Sequence, residues 1–346
     1  MIDANDNYRG QRTVVVTGGA GYVGAVLCPK LIEAGYKVRA LDTCWYGAEV
    51  LDSVADNPRF ELIVGDIRDS GTVRDVLVGC TDAIHLACIS NDPSYDLHPT
   101  LGESVNFTAF EPLVRAAKGA GVRRFIYASS SSVYGVKSEA QVTETLALEP
   151  LSDYSRFKAE CEPILLKYAS DDFAVTILRP ATVCGYSPRQ RLDVVVNILV
   201  NLAVNLGQIR VFGGDQYRPN LHIEDMCRAY LHVLREDVDK VNRQIFNVGG
   251  VNHTVLELAE IVRSKVGGEL TVRIEPTGDN RSYRISSDLI AETIGFSPEK
   301  SVGDAAQDLI EAFRQGLLPD SMTDSRYFNI QRMNEVLSSA DPDGEA

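Results

Sequence analysis

The chain has 346 residues and a formal net charge of −14, with 34 Lys and Arg against 48 Asp and Glu. This length suits one large or two closely associated domains. The acidic balance argues against broad binding to nucleic acid or anionic membranes, which needs basic surface. No run approaches the roughly 18 uncharged apolar residues of a membrane span, and the polar start MIDANDNYRGQR is unlike a secretory signal.

Cysteine and histidine usage bears on metal sites and on the cellular compartment. The seven cysteines have no CxxC spacing, and the five histidines are scattered along the chain. This pattern predicts no metal site and is typical of a reduced, cytoplasmic protein.

Short β-rich runs alternate with helical segments through the first part of the chain. Seven runs are predicted strands: 13–17, 37–42, 60–66, 82–88, 124–130, 174–180 and 244–249. Most are nearly continuous apolar runs, which is typical of parallel strands covered on both faces. Helical patterns lie between them at 22–34, 70–79, 105–120 and 154–170. This alternation predicts an α/β fold with a doubly wound parallel sheet of the Rossmann type.

A glycine-rich turn joins the first predicted strand to the first helix, with the sequence TGGAGYVG over 17–24. Glycines allow a tight turn and close approach to a pyrophosphate, and the helix N-terminus supplies free N–H groups. Asp42 ends the second strand about 20 residues later, where its carboxylate would accept from ribose hydroxyls and repel a 2′-phosphate. The pattern therefore predicts NAD rather than NADP, bound by Gly18, Gly21, Tyr22, Val23, Gly24 and Asp42.

The regular alternation of predicted strands and helices ends after residue 183. A long apolar helix at 193–206 and helical patterns at 254–266 and 303–315 predict a smaller C-terminal α/β lobe that binds the substrate. The expected division is an NAD-binding domain of 12–182 plus 221–250, a substrate lobe of 183–220 plus 251–338, and flexible ends at 1–11 and 339–346.

Tyr154 and Lys158 are the candidate catalytic pair, because residues four apart share one face of a helix. A phenol with its ordinary pKa of about 10 is a poor base, but a nearby ammonium group favours the phenolate and makes the tyrosine a usable proton acceptor. A run of serines, Ser129 to Ser132, follows a predicted strand at the edge where doubly wound sheets place ligands. One of these serines can align a substrate hydroxyl with Tyr154.

With these motifs, the chain resembles the extended short-chain dehydrogenase/reductase family, and within it the nucleotide-sugar epimerases and dehydratases. The likeness extends over about residues 13–330. It implies an adenine-contacting role for Asp66 and Ile67, and a place beside the nicotinamide ribose for Leu86 and Ala87. It also implies that Ser130 bonds to the reacting hydroxyl, and that the tyrosine and lysine of the catalytic pair contact the cofactor as well.

The resemblance further implies a nucleotide-diphosphate sugar as the substrate. Arg218 and Arg281 lie in segments similar to those that grip the diphosphate, and guanidinium groups bind phosphate bidentately. Ser90 lies at the expected substrate mouth, and Ser131 follows the serine assigned to the reacting hydroxyl. Pro219 and Ser286 stand where the family pattern has acidic residues. The segment 89–93 differs from the pattern of common galactose epimerases, and the segment 184–188 differs from the usual YGP. These departures concern the identity of the sugar.

Four functions fit these motifs. The first is an NAD-dependent epimerase acting at C4 through a transient 4-keto sugar. The alternatives are a 4,6-dehydratase or decarboxylase, an NAD(P)H-dependent keto-sugar reductase, and a non-catalytic NAD-binding protein. The 4,6-dehydratases of the family carry an Asp-Glu pair where this chain has Ser131 and Ser132, which favours epimerisation over dehydration. The resemblance also implies a homodimer formed through the helices at 105–120 and 154–170.

Overall fold

The computed structural model describes residues 12–90, 97–278 and 282–340. Its strands are β1 (Thr13–Thr17), β2 (Lys37–Asp42), β3 (Phe60–Val64), β4 (Asp82–His85), β5 (Arg124–Ala128), β6 (Ala174–Pro180), β7 (Thr182–Cys184), β8 (Gln208–Phe212), β9 (Tyr217–His222), β10 (Gln244–Val248), β11 (Asn252–Thr254) and β12 (Thr271–Glu275).

The α-helices are α1 (Gly24–Glu33), α2 (Asp52–Ala55), α3 (Ser70–Leu77), α4 (Pro99–Glu103), α5 (Phe110–Gly119), α6 (Asp153–Tyr168), α7 (Val195–Leu206), α8 (Ile223–Arg235), α9 (Val238–Val241), α10 (Val255–Val266), α11 (Asp288–Ile294), α12 (Val302–Arg314) and α13 (Asn329–Ala340). Shorter 3₁₀ turns lie at Glu49–Leu51, Ser131–Tyr134 and Ser325–Tyr327, and a π-helical turn at Ser104–Thr108 precedes α5.

Seven strands form one sheet in the order β10-β6-β5-β4-β1-β2-β3. Every neighbouring pair is parallel. The predicted doubly wound sheet is confirmed, although the fourth strand ends at His85 rather than at 88. The strand order reverses between β1 and β4, and such a switch point opens a crevice for ligands at the carboxyl ends of the strands.

The sheet is covered on both faces because side chains alternate along each strand. In β1, Val14 and Val16 belong to one buried cluster together with Leu27 of α1 and Tyr230 of α8. The intervening Val15 belongs to the opposite cluster, with residues of α3, α5 and α6. This two-sided burial explains why the strand reads as an unbroken apolar run.

The C-terminal lobe has its own apolar core, built mainly from α7, α10 and α12. Beside it lie a three-stranded sheet of order β11-β9-β7 and a two-stranded pair of β12 with β8. The predicted smaller α/β lobe is therefore present. The expected domain boundary at 220/221 falls inside β9, and β10 returns to the large sheet as its edge strand. The division into two folding units stays a prediction.

Six helices among the described residues match none of the helical patterns found in the sequence: the short α2, α4, α9 and α11, and the longer α8 and α13. Helix α8 follows β9 and packs on the large sheet with α1, and α13 ends the described chain. Helix α13 continues to Ala340 and so includes the first two residues of the expected flexible end at 339–346, while 1–11 and 341–346 lie outside the described residues. The flexibility of both ends stays a prediction. No helix within 12–90, 97–278 and 282–340 is long and apolar enough to cross a membrane.

Candidate active site

The glycine-rich turn forms the floor of a cleft of about 410 Å³ at the switch point. Gly18 has a φ of 76°, and a Cβ built there would lie only 2.7 Å from the backbone N of Ala87, so a side chain would not fit. Helix α1 begins at Gly24 with no side-chain cap from Val23 and no acidic residue in its first turn. The turn therefore offers its N-terminal N–H groups to a phosphate.

Tyr22 connects this turn to the C-terminal lobe. Its hydroxyl donates to the carbonyl of Gly185 at 2.6 Å and accepts from Asn197 Nδ2 at 3.0 Å. Ser187 Oγ donates to the carbonyl of Tyr22 at 2.8 Å. Burial raises the pKa of the Tyr22 phenol, so the hydroxyl remains a donor. The hydroxyl of Tyr22, an expected cofactor ligand, is therefore hydrogen-bonded to the C-terminal lobe, although the residue also lines the cleft.

Asp42 lies at the end of β2, where its carboxylate organises both neighbouring loops. Its two oxygens accept from the backbone N–H of Ala20 at 3.0 Å and of Cys44 at 2.8 Å. Burial raises the pKa of Asp42, while these N–H groups act in the opposite direction. The residue lines the cleft, so an anionic acceptor stands at the position expected for the adenosine ribose.

Asp66 and Ile67 also line the cleft at this end. The Asp66 carboxylate accepts from Arg68, with its backbone N at 2.8 Å and Nη2 at 2.6 Å. Partial burial opposes ionisation, but the bonds from Arg68 hold the pKa of Asp66 below its ordinary value. Leu86 and Ala87 form the lining after β4, beside the glycine turn. The structure thus brings together every expected cofactor residue.

The serine run turns at the end of β5 and exposes different hydroxyls to different partners. Ser130 caps the following 3₁₀ turn, with its Oγ accepting from the backbone N of Ser132 at 3.1 Å. Ser129 Oγ points below the cleft and donates to Glu162. Ser131 Oγ lies 3.2 Å from the hydroxyl of Tyr283. All four serines line the cleft, so the strand end presents a row of hydroxyl groups.

Tyr154 and Lys158 lie one turn apart on α6 and face this row. Helix α6 starts with a capping box formed by Ser152 and Ser155, which fixes its first turn beside Tyr154. Lys158 is buried, and its Nζ donates to the carbonyl of Ala128 at 2.7 Å. That ammonium nitrogen is 6.0 Å from the centre of the Tyr154 ring. The phenol and its cation thus face the carboxyl end of β5 together.

A family model, related proteins and solved structures match this chain. The model of the NAD dependent epimerase/dehydratase family covers residues 14–249. The chain belongs to this family. UDP-glucose 4-epimerase of Mycolicibacterium smegmatis is 30% identical over 312 residues, covering 87% of this chain and 98% of that protein.

Two solved structures have a similar fold. A dTDP-glucose 4,6-dehydratase from Streptomyces venezuelae with NAD bound is 26% identical, with a TM-score of 0.79 over 88% of this chain and 97% of that one. A UDP-glucuronic acid 4-epimerase from Bacillus cereus, in complex with UDP-glucuronic acid and NAD, is 26% identical, with a TM-score of 0.78 over 88% and 99%. Membership confirms the predicted fold class, the enzyme class and NAD as the cofactor.

Below the cleft of this epimerase/dehydratase lies a buried ion pair. Glu162 of α6 and Arg179 of β6 are each only 3% exposed, and Arg179 Nη2 donates to Glu162 Oε2 at 2.6 Å. Glu162 Oε1 accepts from Ser129 Oγ at 2.6 Å, and Arg179 Nη1 donates to the Tyr134 hydroxyl at 2.7 Å. Burial opposes the charge, but Glu162 raises the pKa of Arg179. The pair joins α6, β6 and the serine run in one network.

The predicted substrate residues are only partly described. Ser90, Ser131 and Arg218 line the cleft, whereas Arg281 lies outside the described residues. Ser90 Oγ accepts from Asn329 Nδ2 of the last helix at 2.8 Å, a partner that no sequence motif indicated. Arg218 comes from β9, so the lobe supplies at least one cation to the mouth of the cleft.

Several cleft residues were missed by the sequence analysis. They include Trp45, Tyr46, Arg189, Arg191 and Met333. Arg189 lies with its guanidinium carbon 3.6 Å from the centre of the Tyr46 ring, and burial lowers its pKa to about 10. Within the described chain, Arg189 Nε and Arg191 Nη2 are buried without a hydrogen-bond partner. The RQR run after β7 was a visible basic signal in an acidic chain, but its position depended on tertiary packing.

Proposed function

We propose that this enzyme is a nucleotide-sugar epimerase that inverts C4 with NAD retained through the reaction. The proposal rests on the positions of the carboxylates in the lining of the cleft. Among the described residues that line it, the acidic ones are Asp42 and Asp66, and both lie at the adenosine end. A 4,6-dehydratase needs an additional acid/base group beside the sugar. The described lining supplies hydroxyl groups there instead, which is sufficient for reversible oxidation at one carbon.

At the reacting end, Tyr154 Oη takes the proton of the sugar hydroxyl and later returns it. Lys158 is held by the Ala128 carbonyl at 2.7 Å, with its Nζ 6.0 Å from the centre of the Tyr154 ring. An ammonium group beside a phenol favours the phenolate. Ser130 Oγ orients the sugar hydroxyl toward the tyrosine. NAD bound in this cleft would supply a hydride acceptor for the sugar carbon, and return of the hydride to the opposite face of the keto sugar would invert C4.

The cofactor residues follow from the lining of the cleft. The glycine turn and the start of α1 hold the pyrophosphate, and Asp42 accepts from the adenosine ribose. Asp66 and Ile67 flank the adenine, and Leu86 and Ala87 flank the nicotinamide ribose. The proposed set is Gly18, Gly21, Tyr22, Val23, Gly24, Asp42, Asp66, Ile67, Leu86, Ala87, Tyr154 and Lys158.

The substrate side is more basic. Arg218 is proposed to hold the sugar-nucleotide diphosphate, with Arg281 from the segment outside the described residues. Arg191 joins them, because it lines the cleft and its buried Nη2 has no hydrogen-bond partner among the described residues, while its Nε donates to Asp193 Oδ1 at 2.9 Å. Ser90 and Ser131 contact the sugar. We also propose that the enzyme acts in the cytoplasm as a homodimer, with α5 and α6 forming the contact face.

The decisive experiment incubates the purified enzyme with a panel of nucleotide hexoses and uronic acids without added cofactor. Products are identified by NMR and mass spectrometry. We expect an equilibrium mixture of C4 epimers with no net formation of NADH, because each turnover restores NAD. Catalytic formation of a product lighter by one water would establish a dehydratase, and turnover that requires added NADH or NADPH would establish a reductase. Either result would overturn the proposal.

A further inference from the structure

The outer wall at the adenosine end of the cleft comes from the other end of the chain. Met333 of α13 lines the same cleft as Asp42, Trp45 and Tyr46, and its side chain is only 2% exposed. The family model ends at residue 249, far before this helix. Helix α13 therefore contributes to the lining of the cleft from beyond the part of the chain that the family model matches.

Helix α13 is tied to the loop that follows β2. Arg332 Nε donates to the carbonyl of Trp45 at 2.5 Å, three residues after Asp42. One turn before the helix, Arg326 Nη1 donates to Glu49 Oε1 at 3.1 Å. These contacts join residues separated by 287 and 277 positions in the sequence. They keep loop 43–49 against the helix.

The start of α13 is tied to the opposite side of the cleft through Asn329, which is 2% exposed. Its Nδ2 donates to Ser90 Oγ at 2.8 Å, and its Oδ1 accepts from Arg189 Nη2 at 2.5 Å. Its backbone N donates to Asp193 Oδ2 at 3.1 Å. One buried amide thus connects the loop after β4 with the segment after β7.

Loops at the carboxyl ends of β2 and β4 flank a dinucleotide bound at a switch point. A segment bonded to both loops bridges the path by which the adenosine end enters and leaves. We propose that α13 is the outer wall of the NAD site and that Asn329 and Arg332 hold it closed, so that NAD stays bound between turnovers. The need for such retention rests on the proposed epimerase function, in which NAD is regenerated in each cycle.

The test measures NAD exchange in the full-length protein without any turnover. Enzyme loaded with radiolabelled NAD is mixed with excess unlabelled NAD, and the bound label is followed by rapid filtration. Binding rates are measured by quenching of Trp45, the single tryptophan. For Arg332→Ala and Asn329→Ala we expect dissociation to accelerate by about tenfold or more, the effect of losing one or two hydrogen bonds. Association should accelerate as well, because a wall that opens more often admits NAD faster.

Arg314→Ala is the matched control, because it also removes an exposed pair between an Arg and a Glu three residues away, Glu311, but lies on α12 outside the cleft lining. Its exchange rates should match those of the parent within about twofold. The Arg332 side chain is partly exposed, so Arg332→Ala should fold even if Asn329→Ala does not. Unchanged dissociation in a folded Arg332→Ala variant would overturn the proposal, and so would faster dissociation without faster association, which marks a lost contact and not a wall. Neither result depends on whether the enzyme is an epimerase.

Discussion

The two ends of the cleft are built in different ways. At the reacting end, Lys158 and its partner Ala128 are 30 positions apart, and the supporting pair of Glu162 and Arg179 is 3% exposed on both sides. At the adenosine end, the wall depends on contacts across more than half of the chain. Its ion pair between Arg326 and Glu49 is 46% and 54% exposed.

This difference corresponds to what each end has to do. Proton transfer requires donor and acceptor within hydrogen-bond reach, and side chains on a packed helix and strand keep that geometry. Cofactor loading requires an element that opens, and the exposed contact between Arg326 and Glu49 opens at a lower cost in free energy than the buried contacts of Asn329. The three predictions below perturb one end at a time, in order of decreasing expected effect.

Loss of the Tyr154 hydroxyl should affect the reaction and leave binding intact. Tyr154→Phe keeps the ring and should lower turnover by about 10²–10⁴-fold, the usual effect of losing a general base. Steady-state kinetics and NAD titration provide the measurement. Tyr168→Phe is the control, because it removes a hydroxyl from the same helix that bonds to Glu111 on the outside. A folded Tyr154→Phe enzyme with near-normal turnover would exclude this residue as the base.

Removal of the charge below the reacting end should destabilise the protein. Glu162→Gln leaves the buried Arg179 guanidinium without its carboxylate, and we expect a loss of about 3–5 kcal/mol in the free energy of unfolding. Glu160→Gln, on the same helix, removes a carboxylate that is 42% exposed and pairs with Arg156, and should cost at most about 1 kcal/mol. Chemical denaturation of both variants compares them directly. Equal stabilities would mean that the buried pair does not support the site.

The adenosine end should show a smaller and more selective effect. Asp42→Asn removes the anionic acceptor for the ribose, and we expect NAD affinity to fall on the order of tenfold. Discrimination against NADP should fall too, because the charge that repels a 2′-phosphate is gone. Calorimetric titrations of the parent and the variant with both cofactors measure this. A parent enzyme that binds NADP as tightly as NAD would contradict the role given to Asp42.

The motifs that could be predicted from the sequence are those whose geometry is set by neighbours along the chain. The glycine turn, Asp42 at the end of β2, and Tyr154 with Lys158 on one helix face depend on strand and helix periodicity. The resemblance to a known family then linked these local pieces. The seven parallel strands were predictable for a related reason, because burial on both faces leaves continuous apolar runs.

Other features are contacts between residues that lie far apart in the sequence, and these could not be predicted. The sequence marked Tyr22 as a cofactor residue but could not show that its hydroxyl bonds to Gly185 of the lobe. It likewise gave Ser90 a substrate role without its partner Asn329. Neither contact could be predicted from hydrophobic periodicity, because each is a single polar contact between residues far apart in the sequence.

By itself, then, the sequence determined the sheet, the glycine turn, NAD as the cofactor and the position of the tyrosine–lysine pair on one helix. These features arise from local propensity and from residue spacing within single elements. Only the tertiary structure decided that Met333 lines the cofactor cleft, that Asn329 bonds to Ser90 of that lining, and that the carboxylates of the described lining are those of Asp42 and Asp66. The physical reason is that such positions result from the packing of whole elements against one another, in which the burial of many apolar side chains places a few polar ones.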